Sequence, residues 1–191
     1  MPEFSVSGAI LAGGRSSRMG EDKAFLTIDG VPLVSRQATL LRSLGIDDLL
    51  ISGRPGVDYA VPGAQVVTDR VPDAGPLAGL AALLAAARNP WVLVIAVDLP
   101  CLSSSYLHTL LATGGGRTGV VPQGPHGYEP LVALYPRALL PTIETALTER
   151  RLSLQALLQS AVAESVLIPL GIGTSDLPFF TNWNTPDDTR A

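Results

Sequence analysis

The sequence WVLVIAV occupies residues 91–97 and is followed directly by Asp98-Leu99-Pro100. All seven residues are apolar, several are β-branched, and no polar residue alternates with them. Alternation is typical of a strand with one face in water, whereas a continuous apolar run is typical of a central strand covered by helices on both faces. The segment therefore predicts a buried parallel sheet in an α/β protein.

The flanking sequence supplies the other strands and helices of such a sheet. Helices are expected to start at Pro32 and Pro76, to follow an N-cap at Ser103, and to occupy the region from Arg137 to about Ser160. The other expected strands are Val6–Leu11, Leu49–Ile51, Gln65–Thr68, Gly119–Pro122, Leu131–Tyr135 and Val166–Leu170. This alternation predicts an α/β fold with a doubly wound, mostly parallel, Rossmann-like sheet and helices on both faces. We find no linker or repeat, so residues 1–191 are expected to form a single domain.

The composition excludes several classes of protein. Hydrophobic residues make up 47% of the chain and charged residues 16%, which excludes a disordered chain. The net charge of -4 provides no broad basic surface, so nucleic acid is not an expected partner. The longest apolar tract, Leu77–Ala87, is too short to span a bilayer, so no membrane is expected. A lone Cys101 and the absence of a signal-peptide pattern predict a cytoplasmic protein.

The first strand is expected to lead into the glycine loop, LAGGRSSRMGEDK, at residues 11–23. The adjacent glycines at 13 and 14 let backbone N–H groups approach phosphate oxygens closely. Arg15, Arg18 and Lys23 can neutralise the charges of a triphosphate. The spacing differs from that of the Walker A and GxGxxG loops. From the glycines and arginines alone, a surface turn with solvated arginines is an equally good interpretation.

Other polar residues follow expected strand ends, where ligands bind in open α/β sheets. Asp98 can bind Mg²⁺, which prefers oxygen ligands, although a turn aspartate before a proline is the commoner interpretation of that residue in isolation. Asp69 follows another strand and precedes a helix. Glu129 is a candidate for contact with a second substrate. Asn182 and Asn184 can bind a metal, ribose or phosphate, but such a pair before Thr-Pro is also ordinary turn chemistry.

Together these motifs resemble those of the molybdenum cofactor guanylyltransferase family, within the sugar-nucleotidyltransferase-like fold. The glycine loop is similar to the family signature LAGGxSxRMGxDK. GPLAG at residues 75–79 resembles the second motif, and Asp98-Leu99-Pro100 resembles the third, D-x-P. EPLVALYP at 129–136 and TNWNTPDD at 181–188 favour the guanylyl branch. The resemblance covers nearly the whole chain.

The resemblance implies transfer of GMP from GTP to the terminal phosphate of molybdopterin, with release of pyrophosphate and with Mg²⁺ as cofactor. The residues expected to bind the nucleotide are Leu11, Ala12, Gly13, Gly14, Lys23, Asp69 and Asp98. Catalysis is expected from Lys23, Asp98 and Arg18, and Asp98 is expected to hold the metal. Glu129, Asn182 and Asn184 are candidates for the side of the second substrate or the metal. The expected partners are GTP, molybdopterin and, transiently, proteins that supply molybdopterin or mature molybdoenzymes.

Lys23 is the only lysine among the 13 basic residues of the chain. An ammonium group on a flexible stem acts as a point charge, whereas a planar guanidinium presents a fixed fork of donors. We therefore expect Lys23 to follow the charge on the phosphates as the bond to the α-phosphorus breaks.

Three alternatives to this function remain open. They are a cytidylyltransferase acting on the same cofactor, a sugar-phosphate nucleotidyltransferase, and a non-catalytic nucleotide-binding protein that delivers the cofactor. Lys23 and Asp98 argue against the last. One position departs from the family pattern, because some members have an asparagine at the end of the second strand, where this chain has Ser52. GTP is expected over CTP, since the small residues at 11–13 leave room for a purine and their backbone N–H and C=O groups could bind its edge.

Overall fold

The computed structural model of the chain describes residues 4–13, 22–69, 71 and 73–183. Within these ranges, strands and helices alternate. The strands are β1 (Val6–Leu11), β2 (Thr27–Ile28), β3 (Val31–Pro32), β4 (Leu49–Ser52), β5 (Gln65–Val67), β6 (Trp91–Ala96), β7 (Gly119–Gly124), β8 (Gly127–Tyr128), β9 (Val132–Pro136) and β10 (Leu167–Gly171). The α-helices are α1 (Leu33–Ser43), α2 (Pro76–Ala86), α3 (Ser104–Gly114), α4 (Leu140–Thr148) and α5 (Leu154–Ala163). Short 3₁₀ helices form at Lys23–Phe25, Arg137–Leu139 and Leu177–Phe180.

The main sheet has the strand order β10-β7-β9-β6-β1-β4-β5, and β8 pairs with β7. β1 pairs in parallel with β4 on one side and with β6 on the other, and β5 continues the parallel pairing beyond β4. At the other end, β10 and β7 are also parallel. β9 is antiparallel to both β6 and β7, and β8 is antiparallel to β7. The predicted doubly wound, mostly parallel α/β fold is confirmed.

The sheet separates two hydrophobic cores, because successive side chains of a strand point to opposite faces. In β1, Ile10 points to the core formed with α1 and α3, whereas Ala9 points to the core formed with α2, α4 and α5. In β6, Ile95 points to the first of these cores and Val94 to the second. All four side chains are fully buried. The continuous apolar sequence of residues 91–97 is explained by this burial on both faces.

The local signals in the sequence place most helix starts correctly. Pro32 directly precedes α1, and Gly45 follows its end with a left-handed φ of 78°. Ser103 caps α3, because its Oγ accepts the N–H of Tyr106. The helical region expected after residue 137 consists of two helices, since the chain leaves the helix at 149–153 and Ser153 caps α5. No helix in the described ranges has both the length and the apolar character needed to cross a membrane.

Two short hairpins, β2–β3 and β7–β8, add to the predicted elements. In the first, Asp29 and Gly30 have φ values of 52° and 74°. Positive φ at both central positions is the requirement of a two-residue hairpin turn, for which Asp-Gly is a preferred sequence. This hairpin connects the 3₁₀ helix at Lys23–Phe25 to α1 and thereby fixes the path of the chain from the glycine loop to the first helix.

The second motif, GPLAG, is explained by close packing of α2 on the sheet. A Cβ atom at Gly79 would lie 2.8 Å from Ser52 Oγ and 3.1 Å from Leu11 Cδ1. The helix thus approaches the ends of β1 and β4 more closely than an alanine allows. Gly75, the N-cap of α2, has φ 62° and ψ -152°, a conformation restricted essentially to glycine. The two glycines place the start of α2 directly behind the carboxyl ends of these strands.

We expect Gly79→Ala to lower the free energy of unfolding by about 1–3 kcal/mol, because the added methyl group overlaps Ser52 and Leu11. Urea unfolding followed by circular dichroism measures this change. Gly171→Ala is the matched control, since a Cβ atom at Gly171 meets no atom within 4 Å, and its stability should change by less than about 0.5 kcal/mol. Equal stability of the two variants would contradict the close packing of α2.

Candidate active site

The candidate site is built where β1, β4 and β6 end side by side. The N–H groups of Ala12 and Gly13 both donate to the carbonyl oxygen of Ser52, at 2.9 and 2.7 Å. On the other side, the Val97 N–H donates to the carbonyl oxygen of Leu11 at 3.2 Å. These bonds continue the parallel pairing past the last strand residues. The start of the glycine loop is therefore held between the last residue of β4 and the segment that follows β6.

Lys23 and Asp98, which are 75 positions apart in sequence, meet at this edge of the sheet. Lys23 Nζ lies 3.0 Å from Asp98 Oδ2, and the two side chains are 25% and 22% exposed. The pair is a charge-assisted hydrogen bond that remains accessible from solvent. Lys23 begins a 3₁₀ helix, and Asp98 is the second residue after β6. Two residues predicted to be catalytic are thus brought into contact.

The turn that carries Asp98 has further anchors. The Trp183 N–H donates to the backbone carbonyl of Asp98 at 2.9 Å. Gln37 Nε2 donates to the carbonyl oxygen of Leu99 at 2.8 Å, and Gln37 is buried in α1. Asn182, the residue before Trp183, is therefore adjacent to this turn, and it is exposed. Gln37 was not among the predicted site residues, because a polar residue in an amphipathic helix is ordinarily expected on the solvent face.

A network around Asp22 holds the start of the 3₁₀ helix. Asp22 Oδ2 lies 3.4 Å from Arg54 Nε and 3.4 Å from the Tyr59 hydroxyl group, which also accepts the Arg54 N–H at 3.0 Å. Burial is the main cause that raises the pKa of Tyr59, so its hydroxyl stays neutral. The Tyr59 ring covers Gly53, where a Cβ atom would come within 2.3 Å of it, and stacks on Phe25. No motif in the sequence indicates these contacts.

Glu129 lies between β8 and β9 and is half-buried. Burial raises the pKa of its carboxyl group, and the nearby His126 partly opposes this effect. A carboxylate in such a position favours a partner that carries donors or positive charge. The role of Glu129 on the side of the second substrate stays a prediction.

Residues 172–183, the edge segment, run from the end of β10 to the turn of Asp98. At its start the Ile172 N–H donates to the Gln123 carbonyl oxygen at 3.0 Å. Phe179 and Phe180 contact the ring of Tyr106 in α3, with centroid distances of 6.0 and 5.3 Å. The Tyr106 hydroxyl group is buried and has no hydrogen-bond partner in the described part of the chain. Burial raises the pKa of Tyr106 to about 12, so this group remains protonated.

The remaining predicted residues are divided between the same edge and the parts of the chain that are not described. Leu11 and Ala12 are buried at the end of β1, and Gly13 is partly exposed. Asp69 is exposed just beyond β5, the outermost strand on this side. The predicted residues Gly14, Arg18 and Asn184 lie outside the described residues, so their roles stay predictions.

The donor set at Asp98 fits a cation that arrives with a nucleotide. Lys23 contacts Oδ2 of the carboxylate, and Oδ1 would be the oxygen offered to a cation. No group of three or more His, Cys, Asp or Glu residues among the described ones could hold a metal ion. Mg²⁺ is commonly bound by one or two carboxylates together with substrate phosphates and water. Asp98 is suited to that kind of site, in which the substrate supplies further ligands.

The fold is that of a doubly wound α/β protein, a class that binds its ligands at the carboxyl edge of the sheet. The Lys23–Asp98 pair lies at that edge. Residues 8–165 match the family model described as the MobA-like NTP transferase domain. The chain belongs to the MobA-like NTP transferase family.

Similarity to curated relatives extends over almost the whole chain. A Deinococcus radiodurans protein named "Probable molybdenum cofactor guanylyltransferase" is 41% identical over 187 residues, which cover 96% of this chain and 91% of that protein. The Pseudomonas aeruginosa molybdenum cofactor guanylyltransferase is 38% identical over 197 residues, covering 98% and 93%. Among solved structures, molybdopterin-guanine dinucleotide biosynthesis protein A from Archaeoglobus fulgidus matches with a TM-score of 0.73 at 22% identity, covering 96% of this chain and 95% of that one. The structural match supports the fold.

We expect Glu129→Gln to stabilise the protein at neutral pH but not in acid. The half-buried carboxyl group of Glu129 binds its proton more tightly in the folded state than in the unfolded state. Its contribution to stability is therefore present below the ordinary Glu pKa of about 4.3 and is lost as the pH rises through the raised folded value. The amide carries no charge and avoids this loss.

Urea unfolding of both proteins at pH 7 and below about pH 4 measures the effect. Glu144→Gln in α4 is the matched control, because Glu144 is exposed. An advantage of Glu129→Gln that is the same at both pH values would contradict the assignment to burial of the charge.

Proposed function

We propose that this chain transfers the GMP moiety of GTP to the terminal phosphate of molybdopterin and releases pyrophosphate, in the cytoplasm. The observation that carries the proposal is the 3.0 Å contact between Lys23 and Asp98 at the carboxyl edge of the sheet. Relatives at 41% and 38% identity bear the name of this activity over nearly the same length of chain. A cofactor-delivery protein without catalysis would not require a paired ammonium and carboxylate at this position.

The reaction is an in-line displacement at the α-phosphorus of GTP. An oxygen of the acceptor phosphate forms the new bond to phosphorus while the bond to the β,γ-pyrophosphate breaks. A phosphate acceptor is already ionised at neutral pH, so neither a protein nucleophile nor a strong general base is required. Catalysis then depends on positioning the two substrates and on stabilising the charge that grows on the leaving group.

Lys23 and Asp98 have separate electrostatic roles in the proposed reaction. The Lys23 ammonium group can leave the Asp98 carboxylate and remain with phosphate oxygens as negative charge grows on pyrophosphate. Asp98 would hold Mg²⁺, and the bound ion supplies positive charge at the phosphate oxygens. Arg18 adds a further cation to the same loop. Glu129, Asn182 and Asn184 are assigned to the side of the second substrate, and transient contact with proteins that supply it or receive the product completes the proposal.

The choice of base is assigned to the floor of the site at Leu11, Ala12 and Gly13. The N–H groups of Ala12 and Gly13 donate to Ser52. We therefore no longer expect these N–H groups to bind the base, and assign that role to carbonyl groups. The carbonyl oxygens of Ala12 and Gly13 would accept from N1–H and N2–H₂ of guanine. Adenine and cytosine each have a ring nitrogen acceptor in place of N1–H. Asp69 would contact the nucleotide further along the same edge.

We expect Asp98→Ala to reduce kcat/KM for guanylyl transfer by at least roughly a hundredfold, the scale of a lost electrostatic group in a catalytic site. The fold should persist, because Asp98 lies beyond the end of β6 and is 22% exposed. Pyrophosphate release with GTP, molybdopterin and Mg²⁺ measures the change, and the urea midpoint verifies folding. Asp47→Ala, an exposed position before β4 at the opposite edge of the sheet, is the matched control and should retain activity. Near-normal turnover of Asp98→Ala would reject the role of this carboxylate.

We expect GTP to be preferred over CTP by at least roughly a hundredfold in kcat/KM, or about 2.7 kcal/mol, with ATP also a poor substrate. The reason is that each unpaired carbonyl acceptor costs about 1–3 kcal/mol. Separate reactions with the three nucleotides and molybdopterin, followed by identification of the product, decide the preference. Comparable use of CTP would assign the chain to the cytidylyl alternative, and product only with a sugar phosphate as acceptor would support the sugar-phosphate nucleotidyltransferase.

A further inference from the structure

The hydrogen bonds that hold the Asp98 turn differ in kind. The Val97 and Trp183 bonds described above come from backbone N–H groups, which the fold supplies whatever the side chains are. The Leu99 carbonyl oxygen accepts from the backbone N–H of Leu102 at 3.2 Å and from the side chain of Gln37 at 2.8 Å. Among these bonds, the one from Gln37 depends on a particular residue type.

Gln37 occupies a position in α1 where an apolar residue would be expected. The residue is only 2% exposed, and α1 otherwise presents Leu33, Val34, Ala38 and Leu41 to the core. A buried amide costs free energy unless it is hydrogen-bonded, and even then its net contribution to stability is only about 1 kcal/mol. Stability alone is a weak reason for a glutamine at this position.

The same helix also holds the segment of Lys23. The Leu33 N–H, at the start of α1, donates to the carbonyl oxygen of Leu26 at 2.8 Å. Leu26 closes the 3₁₀ helix that Lys23 begins, and its own N–H donates to the Lys23 carbonyl oxygen. The first turn of α1, between Leu33 and Gln37, is therefore bonded to both segments that meet in the Lys23–Asp98 pair.

We infer that Gln37 is a positioning residue, whose amide fixes the Asp98 turn to α1 and thereby sets the place of the Asp98 carboxylate relative to Lys23. The inference rests on the proposed function, because it takes Asp98 as the carboxylate that holds the cation of the nucleotide. Groups that orient a metal ligand without touching the metal typically change metal affinity or activity by 10–100-fold when they are removed. Loss of the Gln37 amide should consequently reduce the contribution of the metal to GTP affinity more than it reduces the stability of the fold.

The test compares GTP binding with Mg²⁺ and with EDTA, by calorimetry on the full chain and without acceptor, so that no turnover is involved. Gln37→Met keeps the length and volume of the side chain but removes the N–H donor. We expect the gain in GTP affinity caused by Mg²⁺ to fall by about tenfold in this variant, while binding in EDTA stays the same. Gln37→Leu provides a second apolar replacement if methionine disturbs the packing of α1.

Ser7→Ala is the matched control for loss of a buried hydrogen bond. Ser7 is fully buried at the amino end of β1, where its Oγ donates to Asp48 Oδ2 at 2.6 Å and accepts the Asn89 N–H. This variant should be destabilised but should keep the full Mg²⁺-dependent gain. An equal fall in Ser7→Ala would show that the Gln37 effect is general destabilisation and would overturn the inference.

Asp98→Ala in the same assay separates this inference from the proposed function. If Asp98→Ala loses the Mg²⁺-dependent gain and the folded Gln37 variants retain it, the positioning role is wrong while the role of Asp98 stands. If Asp98→Ala itself retains the gain, the metal role of Asp98 is wrong and the inference fails with it. Loss of the Mg²⁺-dependent gain in GTP affinity in Asp98→Ala, together with a partial loss in the Gln37 variants, supports both the metal role of Asp98 and the positioning role of Gln37.

Discussion

The parallel pairing of β1 between β4 and β6 is the constraint on which the site depends. Leu11 is in register with Ser52 on one side and with Ala96 on the other. A slip by one residue would exchange the two faces of the strand and bury the wrong set of side chains on each side. Because both faces of β1 are packed, the register is strongly specified. The start of the glycine loop and the Asp98 turn are consequently held at the same level along the strand direction, at the carboxyl edge of the sheet.

Close packing of α2 adds a second constraint behind this edge. Gly79 lets the helix approach Ser52 and Leu11, and the serine is itself 4% exposed. The residue that stands where some family members have asparagine therefore contributes through its backbone carbonyl, which holds Ala12 and Gly13. The same carbonyl engages the N–H groups of Ala12 and Gly13, and the proposed function therefore assigns recognition of the base to carbonyl acceptors.

Charge at the site has little to do with the stability of the fold. An ion pair that is about a quarter exposed, like that of Lys23 and Asp98, typically contributes only about 0–1 kcal/mol. In the proposed function its position at the ends of the strands is what matters, because Lys23 would exchange Asp98 for phosphate and Asp98 would exchange Lys23 for a cation. The buried contacts of Gln37 and Tyr59 lie behind this pair and hold the segments from which it projects.

The sequence by itself determined the class of fold, most element positions and the principal site motifs. The continuous apolar sequence at residues 91–97 indicates burial on both faces. Backbone geometry and capping indicate the helix starts at Pro32, Pro76 and Ser103. These signals are local, so they can be recognised without knowledge of the tertiary contacts. The rule that ligands bind at the carboxyl ends of parallel strands then led from strand positions to Lys23 and Asp98.

Only the tertiary structure decided the direction of β9, the approach of Asn182 to the Asp98 turn, and the contacts of Gln37 and Tyr59. Gln37 and Leu99 are 62 positions apart, and nothing local distinguishes a glutamine that bonds a distant carbonyl from one that faces water. Such contacts arise from the packing of one element on another, which depends on the whole set of pairings rather than on the propensity of any single segment.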